Sequence, residues 1–281
     1  MKILVTGVNG QLGHDVIKTL RARNIDCIGA DIEDFDITDG AAVRQFITAC
    51  APDAVIHCSA FTAVDKAEEE PLLCERVNAE GPRNIARVCR DLGAKMMYIS
   101  TDYVYPGTGD TPYREDDSTG PISVYGRTKL QGEKAVQEEL ERCFIVRISW
   151  VFGINGNNFV KTMLRLAESR EEVSVVDDQV GSPTYTADLA PLLCDMILTD
   201  KYGIYHATNE GFCSWAEFAA EIFQLAGLPT RVKPISTAEY PAKAPRPQNS
   251  RMSKDKLEKN GFSRLPCWQD ALKRYMKELR K

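Results

Sequence analysis

The chain has 281 residues, 43% of them hydrophobic and 27% charged, with a formal net charge of −5. Such a length buries a large core and exceeds one compact unit, so a big α/β domain with a smaller lobe is expected. The acidic balance, with no basic stripe among aromatics, argues against a nucleic-acid partner, and no apolar run nears the roughly 20 residues of a membrane span.

Residues 2–6 (KILVT) read as a buried parallel strand, entered directly with no charged leader ahead of it. The run leads into Gly7-Val8-Asn9-Gly10-Gln11-Leu12-Gly13 and an amphipathic helix carrying Val16, Ile17 and Leu20. Residues 27–30 form a second apolar strand that ends at Asp31. Strand, glycine turn, helix, strand and acid make a βαβ unit with a dinucleotide fingerprint. Gly7 permits the tight turn, Gly10 lets backbone approach a pyrophosphate, and Gly13 lets helix and strand pack closely. The helix N-terminus then offers phosphates its free N–H groups and positive dipole end. A tight turn with no ligand is the competing interpretation; an acid about 20 residues after the turn disfavours it. Asp31 suits a ribose hydroxyl and repels a 2′-phosphate, and Ile32, Glu33 and Asp34 add no arginine, so these residues favour NADH.

Thr38-Asp39 starts a helix over 42–49, and 54–57 is a third strand. Small residues after it, Ser59 and Ala60, leave room for a cofactor across the sheet edge. A long helix over 72–92 carries Asn78, and a fourth strand, 96–100, opens onto Thr101-Asp102-Tyr103-Val104-Tyr105. Residues 106–122 are a loop rich in Gly, Pro, Thr and Asp. Next comes SVYGRTKLQGE, residues 123–133, in which Tyr125 and Lys129 share one helix face. An ammonium beside a phenol depresses the phenol's pKa, so that it hands its proton to a forming alkoxide near neutral pH. Taken alone, a surface Tyr packed on a Lys stem explains the spacing as well. Residues 144–150 (FIVRISW) are a fifth strand ending at Trp150, where a ligand could stack.

Past Gly153 the character changes to a polar turn at 155–158, a helix over 159–168, a short strand at 173–176 and a further sheet strand at 202–207. Ser214 and Glu217 form a capping-box pattern for a helix ending at Ala226. A basic, proline-stiffened loop over 237–251 precedes a C-terminal helix, 268–279. The expected fold is α/β, a Rossmann-type doubly wound parallel sheet with a smaller C-terminal α/β lobe. The division is 1–150 for the dinucleotide and 151–281 for the substrate, with about 184–208 returning to the first. Nine scattered cysteines without a Cys-x-x-Cys pair suggest reduced packing residues in a cytoplasmic protein. Three widely spaced histidines lack metal-ligand spacing, so no metal is expected.

The Gly-x-x-Gly-x-x-Gly spacing resembles the extended, sugar-nucleotide branch of the short-chain dehydrogenase/reductase superfamily. Thr101 with Tyr125-x-x-x-Lys129 is similar to that superfamily's catalytic triad, in which Ser or Thr binds the carbonyl oxygen. More narrowly, GVNGQLG, TAVDKAE, ISTDYVY, YGRTKLQGE, SWVFG, GNNFVKTML, DDQVGSPT and RPQNSRM resemble the dTDP-4-dehydrorhamnose reductase family. These stretches cover nearly the whole chain. Departures are mild: Ser59 where Ala is usual, Phe61 where Tyr or His is common, and Tyr105 where Phe is.

The resemblance implies reduction of the C4 ketone of dTDP-4-dehydrorhamnose with NADPH or NADH, NADPH being the commoner in the family. It implies catalysis by Thr101, Tyr125 and Lys129, and a cofactor cradle of Gly7, Asn9, Gly10, Gln11, Leu12, Gly13 and Asp31. Ser59, Ala60, Tyr125 and Lys129 would complete that cradle. Thr62, Val64, Thr101, Asp102, Tyr103 and Trp150 would meet the dTDP-sugar, joined by Arg246 and Asn249 from the basic loop. A monomer or homodimer is implied. An epimerase or dehydratase on the same scaffold is one rival; a dehydratase needs a Glu where Tyr103 stands. A non-catalytic NAD(P)-binding regulatory subunit is another, and the intact Thr101, Tyr125 and Lys129 set argues against it.

Overall fold

A sheet covered on both faces needs short strands that are apolar throughout, and the N-terminal half supplies them. The computed structural model describes residues 1–280. β1 (Ile3–Thr6) leads through the glycine turn to α1 (Gln11–Ala22), β2 (Cys27–Ala30), α2 (Gly40–Cys50) and β3 (Ala54–His57). Asp39 caps α2, its carboxylate accepting from the Ala41 and Ala42 N–H groups, as the Thr38-Asp39 signal predicts.

After β3 the chain forms α3 (Val64–Glu69), α4 (Pro71–Glu75), a π-helical turn over residues 76–80 and α5 (Gly81–Leu92). The single helix expected over 72–92 is therefore wound wider in its middle. That wide turn buries Asn78, whose amide clasps the Phe61 backbone by accepting from its N–H at 2.8 Å and donating to its carbonyl at 3.1 Å. β4 (Lys95–Thr101), α6 (Val124–Glu139) and β5 (Cys143–Ile148) follow.

The C-terminal half contains β6 (Val151–Phe152), α7 (Phe159–Ala167), β7 (Glu172–Val176), β8 (Val180–Gly181) and β9 (Thr184–Tyr185). α8 (Thr186–Ile197), β10 (Gly203–His206), β11 (Cys213–Ser214) and α9 (Trp215–Ala226) come next. The chain finishes with β12 (Arg231–Ile235), β13 (Asn249–Ser250), α10 (Asp255–Lys259) and α11 (Trp268–Leu279). The capping box at Ser214 and Glu217 is present in full. β13, inside the segment expected as loop, pairs with β8; two-residue strands of this kind come from tertiary contact rather than local propensity.

The main sheet runs β10-β5-β4-β3-β1-β2 and is parallel throughout. Alternation sends Ile3 and Val5 to one face, packed with α1 and α8, and Leu4 to the other, packed with α2, α5 and α6. A third apolar cluster draws on residues from Phe152 onward, among them Val160, Phe218, Trp268 and Tyr275. The chain steps from β1 outward to β2 and then back to β3 on β1's other side. That reversal opens a crevice at the carboxyl ends of β1 and β3, where ligands of open α/β sheets bind.

Candidate active site

A cleft of about 860 Å³ occupies that crevice. Gly7 leaves β1 with φ +72°, a left-handed conformation that glycine adopts without penalty. A Cβ on Gly13 would stand 2.1 Å from the Gly7 carbonyl oxygen, so only glycine lets α1 close on the turn. Gly10 caps α1 without a side-chain hydrogen bond, and no acid occupies the first turn. The N-terminal amides and positive dipole end of α1 are thus left for an anion in the cleft.

At the cleft's edge, Asp31 accepts from the Asn9 N–H at 2.8 Å and the Ile32 N–H at 2.9 Å, which fixes its carboxylate. Across the turn, the Gln11 side-chain amide oxygen accepts from the Gly153 N–H at 2.9 Å, and the Asn155 amide donates to the Asn9 backbone carbonyl at 2.7 Å. The polar turn after β6 therefore grips the glycine loop. Ser59 and Ala60 line the cleft as well. Glycines at close approach, an uncapped helix start and a fixed acid fit a dinucleotide.

Tyr125 stands in the first turn of α6. Ser123 caps this helix by accepting from the Gly126 N–H at 3.1 Å, and Glu68 of α3 accepts from the Val124 N–H at 2.7 Å. A Cβ on Gly132 would meet the Asn78 carbonyl oxygen at 2.1 Å and the Tyr98 hydroxyl at 2.4 Å, so α6 lies directly against β4 and the π turn. Tyr125, Lys129, Thr101 and Tyr103 all line the cleft, as do Thr62, Val64 and Trp150. The Tyr103 and Tyr125 rings meet edge to face at 5.4 Å.

The electrostatics differ from what the spacing of Tyr125 and Lys129 predicts. Burial pushes the Tyr125 phenol above its usual pKa. Burial also pulls Lys129 down to about 7, against the opposing pull of Glu133. Its ammonium donates to the Ile99 carbonyl at 2.7 Å and sits 4.1 Å above the Tyr98 ring. An amine that is half-charged at neutral pH cannot offset the cost of ionising a buried phenol.

Three residues expected to meet substrate stand outside the cleft lining. Asp102 is 3% exposed and accepts the Thr101 hydroxyl at 2.9 Å. Asn249 is buried; its amide donates to the Thr108 and Thr111 carbonyls and pins the 106–122 loop. Arg246 forks onto Asp65 of α3 at 2.7 and 3.1 Å and borders a separate hollow of about 290 Å³ with Gln179 and Tyr240.

The roles of other residues at or behind the site were not assigned from the sequence. Trp215, the first residue of α9, stacks on Trp150 at 3.6 Å and shares the cleft wall. Trp150 holds φ +49°, uncommon for a bulky residue, and the stack together with the Trp150 carbonyl's bond from the Thr184 N–H over-determines that conformation. Glu133, four residues beyond Lys129, forms a bidentate pair with Arg147 at 2.6 and 2.9 Å and accepts from Ser100 at 2.5 Å. Tyr105, whose hydroxyl departs from the usual Phe, accepts from Arg147 at 2.6 Å and lies 2.7 Å from His206.

A family model described as the RmlD substrate binding domain matches residues 1–281. The dTDP-4-dehydrorhamnose reductase of Streptomyces griseus is 45% identical over 276 residues, 96% of this chain and 91% of that protein. That of Escherichia coli K12 is 39% identical over 293 aligned positions, 99% of this chain and 98% of the other. The crystal structure of a dTDP-4-dehydrorhamnose reductase from Clostridium acetobutylicum superposes with a TM-score of 0.98 at 44% identity, covering 100% of both chains. One from Bacillus anthracis, in complex with NADP, gives 0.96 at 45% identity over 99% of both. With one family's model spanning its whole length and these relatives matching it end to end, the chain belongs to the dTDP-4-dehydrorhamnose reductase family.

Proposed function

We propose that the protein reduces the C4 ketone of dTDP-4-dehydrorhamnose to dTDP-L-rhamnose with NADPH or NADH, a step in nucleotide-sugar and polysaccharide biosynthesis. The observation that carries this reading is the meeting of Thr101 and Tyr125 with the glycine turn in one cleft at the sheet's switch point. The residues at the turn and Asp31 would hold the dinucleotide, with Lys129 facing its nicotinamide end. When bound, the reduced nicotinamide supplies the hydride.

The chain's own residues supply the proton and the orientation. Tyr125 keeps its proton across the physiological range because burial disfavours the phenolate, so the phenol is loaded when a ketone arrives. Passing that proton to a developing alkoxide is favourable, since the alkoxide is far more basic than any phenolate. Thr101, when its hydroxyl turns into the cleft, donates a hydrogen bond to the same oxygen, a contact that strengthens as charge grows there. The charged fraction of Lys129 favours the phenolate left behind. Trp150 and Trp215 form an apolar wall for the sugar and base, and Arg246 offers a fork suited to a diphosphate.

In this reading, residues 1–150 with about 184–208 serve the cofactor and the rest serves the sugar nucleotide. All nine cysteines are free, which supports a reducing, cytoplasmic setting. The assembly proposed is a monomer or homodimer. No helix among the described residues is long and apolar enough to cross a membrane.

The test is Tyr125→Phe. Its kcat is expected to fall a hundredfold or more, on the order of what a general acid contributes, while dinucleotide binding stays within about threefold. Near-normal turnover in this variant would remove the tyrosine from the reaction.

A further inference from the structure

The hydroxyl of Thr101 has a single proton, and that proton is engaged. It is donated to Asp102 Oδ1 at 2.9 Å, while the oxygen of the same hydroxyl accepts from the Tyr103 N–H at 3.3 Å. A hydroxyl so arranged can accept from Tyr125 but cannot also donate to a substrate oxygen. Asp102 itself is buried and stands behind the cleft wall; its second oxygen, Oδ2, makes no well-formed hydrogen bond, although the Ser250 hydroxyl lies close enough to act on the carboxyl. A buried carboxylate oxygen left bare is costly, and protonating the group relieves that cost.

We propose that Asp102 is a positioning residue that decides which way the Thr101 hydroxyl faces. As an acceptor, it turns the Thr101 proton away from the cleft. Carrying a proton of its own, it donates to Thr101 Oγ1 and turns that hydroxyl toward the substrate's carbonyl oxygen. The switch takes up one proton from solvent onto the carboxylate; one hydrogen bond then reverses direction and another becomes available. The inference rests on the reductase reading for its consequence, though not for the coupling itself.

Two further observations agree. Burial raises the Asp102 carboxyl to about 6, with the Ser250 and Thr101 hydroxyls acting the other way, so both protonation states are accessible near neutral pH. The groups facing it are Thr101 of β4, Ser250 of β13, Tyr103 in the turn after β4, and Tyr125 of α6; Arg246 and Asp65 act on the same corner through Tyr103. None of its immediate neighbours is a cation that would hold it ionised.

The coupling is tested without turnover by ¹³C NMR titration of aspartate-labelled protein, with the Asp102 signal assigned by its loss in Asp102→Asn. The wild-type carboxyl is expected to titrate near 6, and Thr101→Val, which removes a donor to the carboxylate, is expected to raise its midpoint. An unmoved midpoint in Thr101→Val overturns the inference. The consequence is tested by kcat. Asp102→Asn, whose amide can donate to Thr101, is expected to stay within about threefold of wild type, and Asp102→Ala to fall about tenfold with KM little changed. On a Thr101→Val background, Asp102→Ala is expected to cost nothing further, because the hydroxyl it steers is gone. Equal losses in Asn and Ala, or an additive loss in the double variant, overturn it. Absence of ketone reduction by the wild-type chain would count against the reductase reading alone, while the titration would still decide the coupling.

Discussion

Burial acts in opposite directions on the two titratable side chains at the heart of the cleft. It raises the Tyr125 phenol and lowers Lys129 to about 7, because each shift favours the neutral form. The ammonium therefore disappears as pH rises through about 7, and with it the charge that favours the phenolate left after proton donation. We expect kcat/KM to decline above that pH, and on an Asp102→Asn background, where that carboxyl no longer titrates, the decline to be absent in Lys129→Met, which is slower throughout; a wild-type profile flat to pH 9 would contradict this. Asp102 has the reverse consequence for stability. Its folded pKa, about 6, exceeds the ordinary carboxyl value of 3.8, so the native chain binds more protons between these values and loses stability as pH rises through that window. Asp102→Asn is accordingly expected to be more stable than wild type at pH 8, by up to about 3 kcal/mol, and the gain to vanish near pH 4. Denaturant titrations at the two pH values measure it. The identity of these residues was legible in the sequence, since spacing along a helix or past a strand end is local. Their charge states were not, because desolvation depends on every neighbour that the fold assembles.

At the scale of elements, α6 is held so tightly that its face has no freedom to rotate. Gly132 admits the Asn78 carbonyl and the Tyr98 hydroxyl, and Glu133 locks the helix to β5 through Arg147. The Glu133–Arg147 pair is almost wholly buried, with side chains 2% and 3% exposed. Removing one partner leaves an unpaired charge in the interior, so Arg147→Met is expected to cost about 3–5 kcal/mol. Glu133→Gln with Arg147→Met should recover part of that loss, and chemical denaturation of the single and double variants checks it. Gly132→Ala is expected to cost about 1–3 kcal/mol by overpacking, with turnover reduced as Tyr125 is displaced. The helix itself, its Ser123 cap and its catalytic pair were readable from SVYGRTKLQGE. The purpose of the same motif's last two residues was not, because Ser100 and Arg147 lie 33 and 14 positions from Glu133. The widened turn at 76–80 was likewise unreadable: its sequence is an ordinary helix former, and only the clasp of Asn78 on Phe61 distinguishes it.

Across the whole molecule, the parallel sheet was foreseeable from apolar runs spaced by helical patterns, and its switch point placed the cleft. The C-terminal half was less legible, because its short strands gain meaning only from each other, as β13 does from β8. Its basic loop reaches back to α3, where Arg246 forks onto Asp65 and Lys243 pairs with Glu69. These groups are partly exposed, so Arg246→Ala is expected to change stability by less than about 1 kcal/mol. If the fork serves a diphosphate, the same variant raises KM for the nucleotide sugar about tenfold or more with kcat little altered, which initial-rate kinetics would show. The account as a whole predicts a reductase that consumes its cofactor, in contrast to an epimerase that regains it or a regulatory subunit that only binds it. Reduced-nicotinamide absorbance followed with dTDP-4-dehydrorhamnose, using NADH and NADPH in turn, decides among these. The predicted result is one cofactor oxidised per ketone reduced; cofactor binding without ketone-dependent oxidation would contradict it.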